Sequence, residues 1–416
     1  MRPTRLLVAA LVLPASILLC GCSNRVDRIV GNERVIRGPG GLGTTVSVVR
    51  LTNRDSHVPR NSRNFGPALL LGQSGSFDAL ALFKVTAWRL PALTLTGFTP
   101  IAVHFVLPQR QILGGGAGSI SADLSLTAAA WDSSVAWPGP ALGAALGSSG
   151  TYDFLGDLRV NLGPNGFSQV QQWAATPSLA PGFALVRSSS GTVGSFQASG
   201  AVFRIFYQYT GPDSTETDSI DTHMALSAYI YAPMSPPPTG TETAMTFGGP
   251  FECGLALRAP VPPITDGSSI NELRFLLPVT GTAPAINGAA MPDTAILSVD
   301  IYRIRAPWVE GVTDQNALTI DASPVSHLVL PEFHTAQDTA LSIPLPRVLT
   351  REWGADSTSN EGVLIRIRDL TVRPSPLVYR VAQAPGESPS FLIGSRESTR
   401  PPVLRFSTTT PPPGRF

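Results

Sequence analysis

The side chains best suited to acid–base or metal chemistry are few in this sequence and widely spaced. The five histidines are His57, His104, His223, His327 and His334. None of them stands in a metal-binding spacing such as His-Glu-x-x-His, and no Cys-x-x-Cys pair occurs. His327 and His334 are seven residues apart with Glu332 between them, so they could meet across a loop. The sequence nevertheless predicts no metal site and no cofactor, and surface positions are the preferred interpretation for both histidines.

Glu310 is the carboxylate that comes closest to a catalytic pattern, because it follows Trp308 by two residues. Glycoside hydrolysis needs a second carboxylate at a defined distance from the first, and no sequence spacing supplies that distance. A Gly-x-Ser-x-Gly motif for an acyl nucleophile is also absent from the sequence. We therefore interpret Glu310 as part of a structural salt link and predict that the protein is not an enzyme.

The six tryptophans could stack on sugar rings or fill a core. Four of them recur at similar places in the two halves of the chain, which favours core positions: Trp137 with Trp308, and Trp173 with Trp353. Trp88 and Trp131 have no such counterpart. These two are the candidate ligand-binding residues.

The N-terminus predicts export. Arg2 and Arg5 precede the apolar run Leu6 to Leu18, which is shorter than the about 20 residues of a membrane-spanning helix. The run ends in Leu19-Cys20-Gly21-Cys22, which resembles the lipobox of bacterial lipoproteins. The resemblance implies that Cys22 carries the lipid and that the membrane is a partner through this anchor. It implies a cell-envelope location, in the outer membrane where the organism has two membranes.

Composition favours a rigid exported β-protein without nucleic-acid partners. Lys and Arg number 30 against 29 Asp and Glu, so no basic surface is expected to attract nucleic acid. Only 14% of residues are charged, while Gly and Pro number 39 each, which suits short strands joined by tight turns. Cys253 would have no partner if Cys22 is acylated, so we expect it to be a small buried side chain.

Landmarks along the chain repeat at a nearly constant offset. Trp173 and Trp353 are 180 residues apart, as are Gly182 and Gly362. Each tryptophan ends a short stretch of helical periodicity, Ser168 to Trp173 or Pro346 to Trp353, whereas period-two alternation prevails elsewhere.

The fold prediction is all-β, with two tandem antiparallel β-sandwich modules of jelly-roll-like type. The segments are a signal peptide at 1–21, lipid anchor and tether at 22–43, first module at 44–210, linker at 211–217, second module at 218–406, and Pro-rich tail at 407–416.

Motif order adds a family resemblance. The chain resembles DNRLRE domains, which are secreted β-sandwich modules related to a carbohydrate-binding family. The matching segments are Asn64-Phe65-Gly66, Leu69 to Gly72, Ala79 to Phe83, Ile270 to Phe275, Trp308-Val309-Glu310, Ser395-Arg396-Glu397, Arg400-Pro401-Pro402 and Val403 to Phe406. The first module has Ala198-Ser199-Gly200 where the family has Arg-Pro-Pro. The resemblance implies carbohydrate binding.

The sequence therefore predicts a non-catalytic cell-envelope lipoprotein, structural or glycan-binding, with polysaccharide or other envelope proteins as possible partners. Two alternatives stay open. A polysaccharide-active enzyme would show a long charged groove or clustered carboxylates. A subunit of a surface assembly would show an exposed apolar patch or an open sheet edge.

Overall fold

The computed structural model describes residues 44–60, 63–64, 68–111, 119–153, 155–189, 191–261, 264, 268–286, 290–375, 378–381 and 388–410. Strands account for 51% of the described residues and helices for 10%, and the strands form several antiparallel sheets. The all-β prediction is confirmed.

The strands of the first part of the chain are β1 (Thr44–Leu51), β2 (Arg54–Val58), β3 (Arg63–Asn64), β4 (Ala68–Ser74), β5 (Phe77–Lys84), β6 (Thr99–Leu107), β7 (Gln109–Gln111), β8 (Ile120–Thr127), β9 (Leu142–Tyr152), β10 (Leu158–Asn161), β11 (Phe183–Arg187), β12 (Val193–Gln197), β13 (Val202–Thr210), β14 (Thr215–His223) and β15 (Leu226–Tyr231).

The remaining strands are β16 (Ala244–Gly248), β17 (Gly254–Arg258), β18 (Ser269–Ala283), β19 (Thr294–Arg303), β20 (Ser326–Val329), β21 (Phe333–His334), β22 (Ala340–Pro344), β23 (Val363–Ser375), β24 (Val378–Val381), β25 (Ser390–Gly394) and β26 (Val403–Thr410). The helices are α1 (Gly166–Ala175) and α2 (Arg347–Ala355), with 3₁₀ turns at Pro177–Leu179, Ala198–Gly200, Gln315–Ala317 and Ser357–Ser359.

Both helices occur where the sequence predicts helical turns. α1 buries Val170 and Trp173, three residues apart, and α2 buries Leu349 and Trp353, four apart. These spacings place each pair on one helix face, which explains why short helices persist in a β-protein. Each tryptophan is at most 4% exposed.

The described strands form two pairs of sheets with corresponding strand orders. The first sheet pair, β3 to β15, has the orders β15-β5-β11-β8-β9 and β10-β6-β13-β14. The second sheet pair, β1, β2 and β16 to β26, has the orders β2-β17-β23-β19-β20 and β22-β18-β26-β1. In the first pair β4, β12 and β7 extend the larger sheet, and in the second pair β16 and β25 continue from β18.

The register of the sheets corresponds as well. In the first sheet pair, Leu82 of β5 lies between its partners Ala228 of β15 and Ala184 of β11. In the second sheet pair, Ala256 of β17 lies between Ser56 of β2 and Leu364 of β23 in the same way. The two sheets of the first pair pack face to face through aromatic side chains. Phe83 lies 4.9 Å from Phe105 and Phe183 lies 4.8 Å from Phe203, measured between ring centroids. In the second pair Phe333 of β21 packs edge-on against Phe391 of β25.

The sheets divide the chain differently from the predicted modules. β1 and β2 lie inside the predicted first module, yet they pair with β26 and β17 of the second sheet pair. β14 and β15 lie in the predicted linker and second module, yet they pair with β13 and β5 of the first. The predicted module boundaries at 44–210, 211–217 and 218–406 therefore do not coincide with the boundaries of the two sheet pairs. They could not be read from the sequence, because the alternation of apolar and polar residues identifies a strand but not the strand that pairs with it. Whether either sheet pair folds alone stays a prediction.

We call residues Thr44–Val58, which contain β1 and β2, the leading segment. It completes the second sheet pair at the positions that β14 and β15 occupy in the first. The predicted tail at 407–416 also needs correction, since 407–410 belong to β26.

Two compact units are distinguished within the structure. The large unit consists of Ser47–Ile264 and Glu272–Phe406. Of the residues that the structure describes, the small unit contains 44–46, 268–271 and 407–410. Within the small unit the Thr409 hydroxyl is 2.9 Å from that of Thr45 and accepts a hydrogen bond from the Asn271 amide at 2.7 Å.

Candidate functional site

Three parts of the second sheet pair converge on one arginine. β2 contributes Asp55, the loop after β19 contributes Glu310, and the turn after β25 contributes Arg396 and Glu397. We call these four residues the Arg396 cluster. The guanidinium of Arg396 pairs with Glu310 at 2.9 Å and with Glu397 at 2.7 Å. Asp55 and Arg396 are 341 residues apart in the sequence, so the cluster connects the leading segment to a distant part of the chain.

Backbone groups complete the cluster. The amide of Arg396 donates to Asp55 Oδ2 at 2.7 Å, and the amide of Asp55 donates to Glu310 Oε1 at 3.0 Å. The Arg396 side chain also donates to the carbonyl of Asn53 at 3.0 Å.

Glycine is required at position 240, beside the cluster, where φ is +80° and a Cβ would lie 2.5 Å from the Cβ of Glu310. The predicted salt link of Glu310 is confirmed.

Asp55 is the most deeply buried acid of the cluster, at 2% exposure. Burial raises its pKa to about 6, and the neighbouring charges of Glu397 and Glu310 act in the same direction. The hydrogen bond from the Arg396 amide opposes the shift. The hydrogen bond to Glu397 and the nearby Glu310 hold the pKa of Arg396 above its ordinary value.

Clustered carboxylates, one with a raised pKa, are also what an acid–base catalyst requires. The geometry favours a structural role. Both oxygens of Glu310 are engaged, one by the Asp55 amide and one by Arg396. Asp55 is shielded from solvent, so a substrate cannot approach its carboxyl group in this conformation.

The other predicted acid–base residues are dispersed. His327 Nδ1 lies 2.6 Å from Asp300 Oδ1 across β19 and β20, with a half-exposed imidazole. The amide of His334 donates to Asp338 at 2.6 Å. His57 is buried and its pKa is lowered by burial. No group of three His, Cys, Asp or Glu side chains able to hold a metal ion occurs within the described ranges.

An open cleft lies beside the cluster, around the indole of Trp308. Its volume is about 420 Å³, and its wall includes Arg54, Pro307, Trp308, Val309, Val312 and Thr319. The guanidinium of Arg54 lies 5.4 Å from the centre of the Trp308 ring, within cation–π range. The indole nitrogen donates to the carbonyl of Glu361 at 2.8 Å, which fixes the ring. We call this the Trp308 cleft.

The two predicted ligand-binding tryptophans both pack against core residues. Trp131 is 4% exposed, and its ring crowds Gly182 so closely that a Cβ there would lie 2.5 Å from the indole nitrogen. Trp88 is half-buried, with ring centroids 5.3 Å from Trp173 and 5.2 Å from Phe203. Trp131 therefore presents no open face on which a sugar would stack.

The counterpart of Trp308 is Trp131 rather than Trp137, which corrects the pairing inferred from the sequence. Trp131 lies against Gly182, and Trp308 donates to the carbonyl just before Gly362. Trp137 is only partly buried and packs against the cluster that contains Trp131. The sequence offset was misleading because Trp131 and Trp137 are only six residues apart, so either could correspond to Trp308.

Cys253 is buried, as predicted, and burial raises the pKa of its thiol to about 12. Its sulfur lies 4.0 Å from that of Met234. Cys22 lies outside the described residues. Within the part of the chain that the structure describes, none of the helices is long and apolar enough to cross a membrane.

The comparisons with known proteins add no relatives. No family model, no curated protein and no solved structure matches this chain. The resemblance to DNRLRE domains stays a prediction.

Proposed function

We propose that this chain is a non-catalytic, lipid-anchored component of the bacterial cell envelope with a structural role. The observation that carries the structural role is the Arg396 cluster. There, Glu310 accepts the backbone amide of Asp55 in the leading segment, and Arg396, which pairs with Glu310 and Glu397, donates to the same segment. These acids therefore stabilise the fold instead of facing a substrate. The location in the envelope depends on Cys22 and its lipobox-like surroundings.

Replacing the lipid attachment residue tests the anchor. Cys22→Ser is expected to release the protein from the membrane fraction into the soluble envelope fraction, because two or three acyl chains anchor stably where a bare side chain does not. Cys253→Ser is the matched control, since its thiol is buried and it should stay in the membrane fraction. Retention of Cys22→Ser through an alkaline wash would exclude the lipid anchor.

Glycan binding and polysaccharide cleavage are tested together on a polysaccharide array with the purified chain. We expect no turnover of any polysaccharide. Turnover that Glu310→Gln abolishes, while Glu216→Gln leaves it unchanged, would make the protein an enzyme. Binding without turnover would support the glycan-binding form of the proposal, which the packing of Trp88 and Trp131 against core residues does not favour.

Membership of a surface assembly is the second candidate, and the edge strand β1 is the observation in its favour. β1 ends the order of its sheet, and Val49 and Leu51 are each 60% exposed. Exposed apolar side chains on a sheet edge can pair with another chain.

A further inference from the structure

Two strands at equivalent positions of the two sheet pairs are edge strands. Among the described strands, β1 pairs only with β26, and β14 pairs only with β13. β14 is regular along its length, since its nine residue pairs with β13 run without a bulge. An edge strand presents unpaired backbone groups to which another chain can add a strand. Each sheet pair therefore offers an open edge.

The two edges differ in charge. Arg50 is the one charged residue in the sequence of β1, and it is exposed. β14 contains Glu216, Asp218 and Asp221 and neither lysine nor arginine. Two copies of β14 would set carboxylates opposite one another, which is destabilising. The charge of β14 therefore favours a partner strand that is apolar and basic, and β1 of another copy has both properties.

The side chains of β1 and β14 match in one antiparallel register. In β14, Ile220 is the partner of the fully buried Ile205 and packs against the core. In β1, Val48 is less exposed than the residues on either side of it. Placing Val48 opposite Ile220 also places Arg50 opposite Asp218, because each pair of residues is two positions apart. A β-branched pair and an opposite-charge pair then share one face, and both kinds of pair stabilise antiparallel strands.

The other face of this register is also compatible. Val49 and Leu51, each 60% exposed, lie opposite Ser219 and Thr217. Their exposed apolar area decreases, and neither side chain meets a charge. The register thus leaves no like charges opposed between Val48 and Leu51.

We propose that β1 of one copy pairs with β14 of a second copy in this register, so that copies of the chain join head to tail. Because the two edges of each copy differ, the contact is heterologous and repeats from copy to copy instead of stopping at a two-fold symmetric dimer. This inference rests on the surface-assembly candidate above, since it names the partner of β1. It is independent of the lipid anchor and of the Arg396 cluster.

Sedimentation velocity of the purified full chain tests the contact, with Cys22→Ser present so that acyl chains do not drive association. We expect the mean mass to rise with concentration beyond that of a dimer, with a Kd on the order of 0.1 mM, since the contact is small. Arg50→Glu and Asp218→Arg each set like charges opposite one another and should each weaken association at least about fivefold. The double variant restores opposite charges and should recover most of the association. Arg368→Glu makes the same charge change at an exposed arginine and should leave association unchanged.

Asp218→Asn keeps the test decisive if Asp218→Arg does not fold. Its side chain can still accept the hydrogen bond from the Tyr207 hydroxyl, so it removes only the charge, and we expect association about two- to fivefold weaker. The contact is overturned if the particle stops at a dimer, if only one of the two edges is sensitive to its substitutions, or if neither is. In those cases the surface-assembly candidate still stands. Absence of association up to about 1 mM overturns both.

Discussion

A chain that begins at residue 59, and so lacks the leading segment, is expected to lose the folded state of its second sheet pair. β17 would lose its whole ladder with β2, and the buried Ser56, His57 and Val58 would leave the structure. β26 would become an edge strand without β1. We expect a loss of more than about 5 kcal/mol, comparable with the total stability of a typical domain. Amide hydrogen exchange should show protection in β4 to β13 and little in β17 to β26.

A chain that begins at Thr44 is the control and should unfold like the full protein. The fragment 218–406 tests the same point, because it contains β15 but not β2. We expect it to be unfolded, since Ser227 stands where the second sheet pair needs Asp55 as acceptor for Arg396. A cooperatively folded 218–406 fragment would show that β15 can replace β2 and would restore the predicted module boundaries.

Replacing Asp55 by Asn is expected to remove a pH dependence of stability. Burial raises the pKa of Asp55 from 3.8 to about 6, so the folded chain holds this proton more tightly than the unfolded chain. The resulting stabilisation is complete below pH 3.8 and is lost as the pH rises through about 6. A shift of this size corresponds to about 3 kcal/mol. Relative to Asp55→Asn, the natural chain should therefore lose most of this stabilisation, about 2 kcal/mol of unfolding free energy, between pH 4 and pH 7.

Urea denaturation at several pH values measures this difference, because the other carboxylates titrate in both proteins. Asp55→Ser, which installs the counterpart residue Ser227, should also abolish the pH-dependent difference, although its shorter side chain binds the Arg396 amide less well. Parallel stability curves for the natural chain and Asp55→Asn across this range would contradict the raised pKa.

The sequence predicts much of the local structure and little of the pairing. Period-two alternation identifies strands such as β6 and β19, and three- and four-residue spacings locate both helices around Trp173 and Trp353. These signals are local, because they depend on which face of an element is buried. The partner of β2 depends on competition between β5 and β17, which have similar apolar sequences, and alternation does not distinguish them.

In the candidate site, too, the sequence predicts the local features but not the contacts between distant segments. Glu310, Arg396 and Glu397 stand in two predicted motifs, so the salt link at Glu310 was predictable. Asp55 belongs to no motif, and its burial depends on pairing between segments 341 residues apart. The Trp308 cleft was missed because its wall combines Arg54 of β2 with residues that follow β19, and no sequence motif links the two.

The position of the leading segment has a consequence for biosynthesis. Asp55 of the leading segment is synthesised 341 residues before its partner Arg396. At about 5 to 20 residues per second, this interval lasts from roughly 17 to 70 s. Throughout that time β1 has no partner strand, and an unpaired strand with exposed apolar side chains such as Val49 can pair with another chain. A premature stop codon shortly before β26 would leave β1 permanently without its partner strand, although β2 could still pair with β17.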